Sequence, residues 1–326
     1  MSELLKRNIM TKKTIVDVHV HFLGDNKQFL FDKATYDVWE YGIKDHVNFS
    51  IYGGDPKDIL KAMKSANVSW AIINSLFSAP LFRIRAFSEL PEDLDNHQKG
   101  LALWNIEASL GERLIQYNHL CCDMAEAHPR LIPFIGADPY VLPTVEMLSH
   151  IQEMVTNQGA KGIKLHQGIQ RFFIHEERVK PICKTCINLD IPILVHSGLS
   201  RGRNQYAEPL AFFKILKILP KIKLILAHLG GGAWRQSREL AATFPNVHFD
   251  CCEIIEWTGA PNAPTDRELA QLIIDVGPER VMLGSDFPWY DIKHTAERVM
   301  ELPLLSAEQK EAVLGANAVR FLNLSS

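Results

Sequence analysis

The sequence predicts an α/β fold, a (β/α)8 TIM barrel. Three observations carry that expectation. Eight short apolar runs, most of them rich in Val, Ile and Leu, alternate with longer stretches whose apolar residues recur every three or four positions. The 326 residues suit one barrel with insertions, a fold of about 250 to above 400 residues. The chain is 47% hydrophobic and 22% charged, the balance of a globular domain that buries a large core without disulfides. An open, doubly wound sheet is the second architecture that such alternation allows. No fixed-period repeat is present, so 1–326 reads as a single domain, with residues 1–13 as a flexible start.

In chain order, the first run, 15–21, reads as a strand buried on both faces. The excursion after it, 26–54, fits no simple βα unit and carries Phe29, Phe31, Tyr36, Trp39, Tyr41, Phe49 and Tyr52. Following a first strand, it lies over the C-terminal face of a barrel, either as a lid or pocket wall or as plain packing on the rim. Asp55 before Pro56 starts a helix over 56–66, with an acidic cap and a first-turn proline. The second run, 70–74, leads to a second excursion, 79–101, and a helix over 107–127. Runs 131–137 and 162–166 precede helices over 144–158 and 176–189. Runs 191–196 and 223–228 precede helices over 209–219 and 235–244. Run 247–250 precedes a helix over 265–276 that Thr265 and Asp266 cap. Run 281–286 ends the barrel, and 306–324 reads as a terminal helix with Ala307, Val313, Leu314, Val319 and Leu322 available for docking.

Composition excludes some functions. The net charge is −3 and like charges form no block, so neither nucleic acid nor an anionic membrane is an expected partner. No stretch reaches the roughly 18 apolar residues of a membrane span. The start of the chain lacks the apolar segment of a secretory signal, so the expected location is cytoplasmic. The six cysteines fall in three close pairs, Cys121/Cys122, Cys183/Cys186 and Cys251/Cys252. Cys183 and Cys186 resemble half of a zinc site, but no second such pair completes it. Buried free thiols are the expectation.

The chemistry lies in where polar residues fall. Five of the runs that end in histidine or aspartate supply the site candidates: His19 and His21, then Lys164 and His166, then His196, His228 and Asp286. In a barrel those strand ends converge on one mouth, where barrel enzymes place their active sites. His19 and His21, two apart on a strand, share a face and can take adjacent positions around a metal. Gly198 and Gly230–Gly232 leave room beside His196 and His228. Asp286, at the end of an apolar run, needs a partner or a metal, because an isolated buried carboxylate is expensive. Lys164 and His166 share a strand face. Arg201 and Arg203, after His196, can hold a substrate carboxylate, and Trp234, Trp257 and Trp289 follow strand ends. Asp17 is read as organising the barrel base, and His248 is given no role.

Taken in order, VDVHVHF, GIKLH, ILVHSG, LILAHLGGG and LGSDFP resemble the amidohydrolase superfamily, in particular the amidohydrolase-related branch that holds aminocarboxymuconate-semialdehyde decarboxylase and many uncharacterised TIM-barrel metal-dependent hydrolases. The likeness runs from Val16 to Phe321 and includes VLGANAVRFL near the end. It implies one divalent metal ion, Zn2+ first, held by His19, His21, His196 and Asp286, with His228 and Asp286 as the catalytic pair. A small-molecule substrate is expected, with Lys164, His166 and Arg201 as its binders from their positions at the active rim, and a homo-oligomer is left open. GIKLH also resembles the motif of binuclear members, in which a carboxylated Lys164 bridges two metals and His228 becomes a ligand.

Three functions compete. The first is a hydrolase that uses metal-activated water on a lactone, ester or amide bond of a small cyclic or carboxylated substrate. The second is a non-oxidative decarboxylase, a carboxy-lyase, of an aromatic or muconate-type acid. The third, a non-catalytic metal-binding scaffold, sits poorly with His228. The expectation puts the hydrolase first and the carboxy-lyase second.

Overall fold

A computed structural model describes residues 14–22, 40–199 and 204–324. Eight strands, β1 (Val16–His21), β2 (Trp70–Asn74), β3 (Leu131–Gly136), β4 (Gly162–Leu165), β5 (Ile193–Val195), β6 (Leu224–Leu226), β7 (His248–Asp250) and β8 (Val281–Met282), pair in parallel and in sequence order. The sheet curls until its ends meet. Val18 N donates to Leu283 O at 2.9 Å, His21 N to Phe287 O at 2.7 Å, and Asp286 N to His19 O at 2.9 Å. This is a (β/α)8 barrel, and an open sheet is ruled out. A register shift between Asp17 and Val20 marks a bulge beside the two histidines of β1, a common device for re-aiming side chains at a site.

The helices are α1 (Pro56–Ser65), α2 (Ala79–Ser88), α3 (Asn96–Ala127), α4 (Thr144–Thr156), α5 (Gln167–Gln170), α6 (Lys180–Asn188), α7 (Phe213–Ile218), α8 (Gln236–Thr243), α9 (Asp266–Val276), α10 (Ile292–Glu301), α11 (Ala307–Glu311) and α12 (Asn317–Leu322). The expected caps are present. Asp55 accepts from Asp58 N ahead of Pro56, and Thr265 forms a reciprocal capping box with Glu268. Ile163, Ile193, Leu224 and Phe249 on the strands pack with Ile151, Ile182, Ile215 and Leu269 on the helices in one buried core. None of the helices among the described residues is long and apolar enough to cross a membrane.

Three expectations need correction. Several strands are shorter than their apolar runs: β5 ends at Val195, β6 at Leu226 and β8 at Met282, so His196, His228 and Asp286 sit in the loops beyond them. The excursion over 79–101 is helical for most of its length. A capping box between Asp95 and Gln98 starts α3 well before residue 107. The terminal helix over 306–324 is broken by a wide turn at Ala312–Ala316, where a Cβ on Gly315 would meet Thr14 O at 2.0 Å.

Of the aromatic excursion, Phe29, Phe31, Tyr36 and Trp39 lie outside the described residues. The part from Glu40 to Gly54 is fastened to the rim. Tyr41 stacks on Trp257 at 5.5 Å and Phe49 on Tyr290 at 5.7 Å. Ser50 N donates to Trp289 O at 2.8 Å, and Asn262 N to Tyr41 O at 3.0 Å.

Candidate active site

Strand β1, Asp250 at the end of β7, Lys164 of β4 and the loops beyond β6, β7 and β8 bring polar side chains to one buried point at the mouth. His19, His21 and Asp286 form a group whose ligand atoms lie within 4.8 Å of one another. Asp286 Oδ1 is 2.9 Å from His21 Nε2 and 3.4 Å from His19 Nε2. Lys164 Nζ is 2.8 Å from His19 Nε2. Lys164 is the one buried lysine or arginine among the described residues.

Behind this group, Asp250 acts as a hub. Its Oδ2 is 2.9 Å from His19 Nδ1. Its Oδ1 accepts from His228 N at 2.8 Å, Cys252 N at 3.2 Å and Cys252 Sγ at 2.9 Å. Cys252 Sγ in turn lies 3.1 Å from both His19 Nδ1 and His228 Nδ1. With its Nδ1 proton given to Asp250, His19 presents an unprotonated Nε2 to the site, the tautomer a metal ligand needs.

His196 is placed differently from the other expected ligands. Its Nδ1 is 3.1 Å from His228 Nε2, and its ring stacks on His166 with centroids 3.9 Å apart. His166 also caps α5 through Ile169 N. Both residues are half-buried. Arg201 and Arg203 lie outside the described residues. Trp289 meets His21 edge-on at 5.0 Å and walls the site. Trp257 donates to Tyr290 Oη at 2.7 Å, and Trp234 packs under Arg235 and Arg238; both are framework. Asp17 is better placed than the barrel base: it accepts from His19 N, Ser285 N and Ser285 Oγ, tying β1 to the Asp286 loop. His248 packs on Phe321 at 4.2 Å. All six cysteines are free and buried.

The glycine-rich turn after β6 carries four consecutive positive φ values, His228 (61°), Leu229 (47°), Gly230 (92°) and Gly231 (52°). Two of the four are not glycine, which costs about 1–3 kcal/mol each and concentrates at functional sites. The room the glycines leave is occupied. A Cβ on Gly231 would stand 2.7 Å from Glu40 Oε1, and one on Gly198 2.9 Å from Glu40 Oε2. Glu40 also accepts from Leu199 N at 2.7 Å. The aromatic excursion therefore inserts a buried carboxyl between the His196 and His228 loops.

Burial sets the electrostatics. It holds His19, His21, His166 and His228 well below the usual imidazole range, with Lys164 or neighbouring histidines pushing the same way, and it puts His196 at about 3. All are neutral at pH 7, the form that ligates or accepts a proton. Burial lifts Asp286 to about 7 against the pull of Lys164, and it lowers Lys164. Glu40 is lifted to about 8 by burial and by the Glu253 carboxylate.

These residues fit a divalent ion: two unprotonated imidazoles, one of them oriented from behind by Asp250, face a buried carboxylate. Sequence reasoning missed Asp250, Cys252, Glu253 and Glu40. Asp250 had a signal, since the seventh run ends in aspartate as the eighth does. Cys252 follows it by two. Glu40, inside an aromatic stretch, had none.

The comparisons agree with this architecture. The family model described as amidohydrolase matches residues 16–324. The 2-amino-3-carboxymuconate-6-semialdehyde decarboxylase of Caenorhabditis elegans is 35% identical over 123 residues, which are 34% of this chain and 30% of that protein. Among solved structures, an uncharacterised TIM-barrel protein, Bb4693, from Bordetella bronchiseptica matches with a TM-score of 0.68 at 16% identity, over 95% of this chain and 98% of the other. The 5-carboxyvanillate decarboxylase LigW from Sphingomonas paucimobilis matches at 0.62 and 14%, over 96% and 100%. A dihydroxybenzoic acid decarboxylase from Polaromonas sp. JS666, with bound manganese and the inhibitor 2-nitroresorcinol, matches at 0.63 and 13%, over 96% and 97%. At such identities the structures speak for the fold. The family match spans all eight strands and the terminal helices, and the chain belongs to the amidohydrolase family.

Proposed function

We propose that this chain is a metal-dependent carboxy-lyase that removes CO2, without oxidation, from a small aromatic or muconate-type carboxylic acid. The sequence alone puts a hydrolase first. The observation that reverses the order is the 35% identity to a muconate-semialdehyde decarboxylase. The manganese-bound decarboxylase on the same fold supports it.

In this reading His19, His21 and Asp286 hold one divalent ion, with His196 as a further donor from the β5 loop. When bound, the ion would polarise a substrate oxygen and supply electrophilic assistance near neutral pH. Lys164 Nζ, buried beside His19 Nε2, attracts the anionic substrate. His228 moves the proton. Its Nδ1 faces the Cys252 thiol, so Nε2 is the atom that takes up a proton from water, the resting ring being neutral, and passes it to the substrate carbon. The carbon gains that proton, the bond to the carboxylate breaks, and CO2 leaves with no net addition of water. Burial keeps the imidazolium weakly held, so transfer to carbon is favoured.

The test is to load the protein with zinc or manganese and screen aromatic and muconate-type acids. Products would be weighed by mass spectrometry, CO2 trapped, and the reaction run in 18O-labelled water. Loss of CO2 without label in the organic product is expected. Label entering a hydrolysed lactone, ester or amide, with no CO2 released, would return the hydrolase to first place.

A further inference from the structure

A cavity of about 820 Å3 opens between the rim segment after β1, the loop after β7 and α10. Val47, Phe49 and Trp257 form its apolar side, and Lys44, His294 and Arg298 its cationic side. A volume of roughly 300–1,000 Å3, apolar walls and a few polar groups are what small-molecule sites have in common. Among the described residues, its lining includes none of His19, His21, Lys164, His196, His228 or Asp286. It is a separate place from the metal site.

The charges along its wall are unevenly matched. Glu256 is buried and engaged on both oxygens: Thr295 Oγ1 donates to Oε1 at 2.7 Å, and His294 Nδ1 lies 2.9 Å from Oε2. Asp266 Oδ1 accepts from Arg298 Nη2 at 2.6 Å, and the same nitrogen donates to Thr258 Oγ1 at 3.1 Å. Asp45 is exposed to solvent. Lys44 is half-buried, and its Nζ donates to a neutral acceptor, the Glu256 carbonyl, at 2.5 Å. Burial and the Arg298 guanidinium push its ammonium down, against the pull of Glu256 and Asp266. A half-buried cation bonded to a carbonyl gains a charge-assisted partner when an anion enters the cavity.

We propose that this cavity is a second ligand site, for a small aromatic carboxylic acid, and that its occupation is felt at the metal site. The carboxylate binds Lys44, with Arg298 and His294 beside it, and the ring lies against Phe49 and Trp257. The link to the metal site is the rim itself. Phe49 stacks on Tyr290, and Trp257 donates to Tyr290 Oη. Ser50 N donates to Trp289 O, and Trp289 meets His21 edge-on. An occupant that orders residues 44–50 therefore steadies the wall against which His21 stands. Neither the site nor this link depends on the reaction proposed above.

The probe is radiolabelled benzoate, in equilibrium dialysis against the full chain. Lys164→Met silences anion binding at the mouth, and that variant should still bind about one benzoate per chain. Adding Lys44→Gln, or separately His294→Gln, should weaken this binding at least about tenfold, the loss of one charge-assisted bond. Neutral benzamide should bind at least about tenfold more weakly than benzoate for the same reason. Benzoate should slow amide hydrogen exchange over residues 44–50 and 256–259. In the otherwise unaltered chain, saturating benzoate should change manganese affinity at least about fivefold, and manganese should change benzoate affinity by the same factor. Lys44→Gln should abolish that coupling and leave manganese affinity without benzoate unchanged. No binding to the Lys164→Met chain at millimolar benzoate, or binding indifferent to both further substitutions, overturns the site. Benzamide binding as tightly as benzoate overturns the role of the cations. A benzoate effect on manganese that survives Lys44→Gln overturns the link, because the acid is then acting at the metal itself. Two-site binding with no CO2 released from any acid keeps this inference and sinks the carboxy-lyase reading instead.

Discussion

Asp250 orients two histidines from opposite sides of the site. One oxygen holds the His19 ring through Nδ1 and the other holds the His228 backbone and the Cys252 thiol. Asp250→Asn keeps the shape but offers one acceptor where there were two and removes the charge. Partners that orient a ligand in this way are worth about 10–100-fold in metal affinity. The expected outcome is a loss of that size, read by competition with a chromogenic chelator, with the fold retained. Unchanged affinity would mean that His19 is held by the barrel alone. Cys252→Ser tests the other branch. The shorter hydroxyl donates to Asp250 but withdraws from His228 Nδ1, so kcat should fall several-fold while bound metal stays constant. The two effects separate ligand orientation from control of the His228 tautomer.

The turn after β6 and the segment around Glu40 work as one unit. The turn's left-handed backbone is held because Leu229 is buried and Ser237 Oγ donates to Leu229 O at 2.8 Å. Gly231→Ala would drive a Cβ into Glu40 Oε1 at a φ that L side chains resist. A loss of about 1–3 kcal/mol in stability and a disproportionate loss of kcat are expected, read by thermal melting and steady-state kinetics. Stability lost with kcat unchanged would show that the turn does not place His228. The sequence made the glycines legible but not the carboxyl that fills their space. A periodic pattern reports which residues face a sheet, and Glu40 is buried by a loop. The same limit hid the first half of α3. Leu101 and Trp104 are exposed on it, so no apolar face recurs there to announce a helix. The strand-end histidines were legible because a polar residue closing an apolar run is costly unless it has a purpose. Their division into a His19–His21–Asp286 group and a His196–His228 pair depends on loop geometry that spacing does not encode.

At the scale of the whole molecule, the buried titratable groups set how stability depends on pH. His19, His21, His166, His196 and His228, with His150 and His248 elsewhere, all have imidazoles held below 6.5 by burial. The folded chain leaves them neutral while the unfolded chain protonates them, so as pH falls below about 6.5 they favour unfolding. Glu40 at about 8, Asp17 and Asp286 at about 7 and Asp138 at about 6 act in the opposite sense. The fold takes up their protons well above the pH at which the unfolded chain does, so their neutral forms stabilise it, and that stability is lost as pH rises from about 4, where the unfolded acids ionise, through about 6–8, where the folded ones do. Below 6.5 the histidines outnumber the acids, and above it the acids act alone. Metal-free protein should therefore melt highest near pH 6.5 and lower on both sides, measured from pH 4.5 to 8.5 after chelation. Adding a divalent ion favours the ionised form of Asp286, which removes part of the alkaline decline and moves the optimum upward. A melting temperature that still climbs beyond pH 8 without metal would mean that the acids at the mouth are ionised in the fold and balanced by a cation that chelation does not remove.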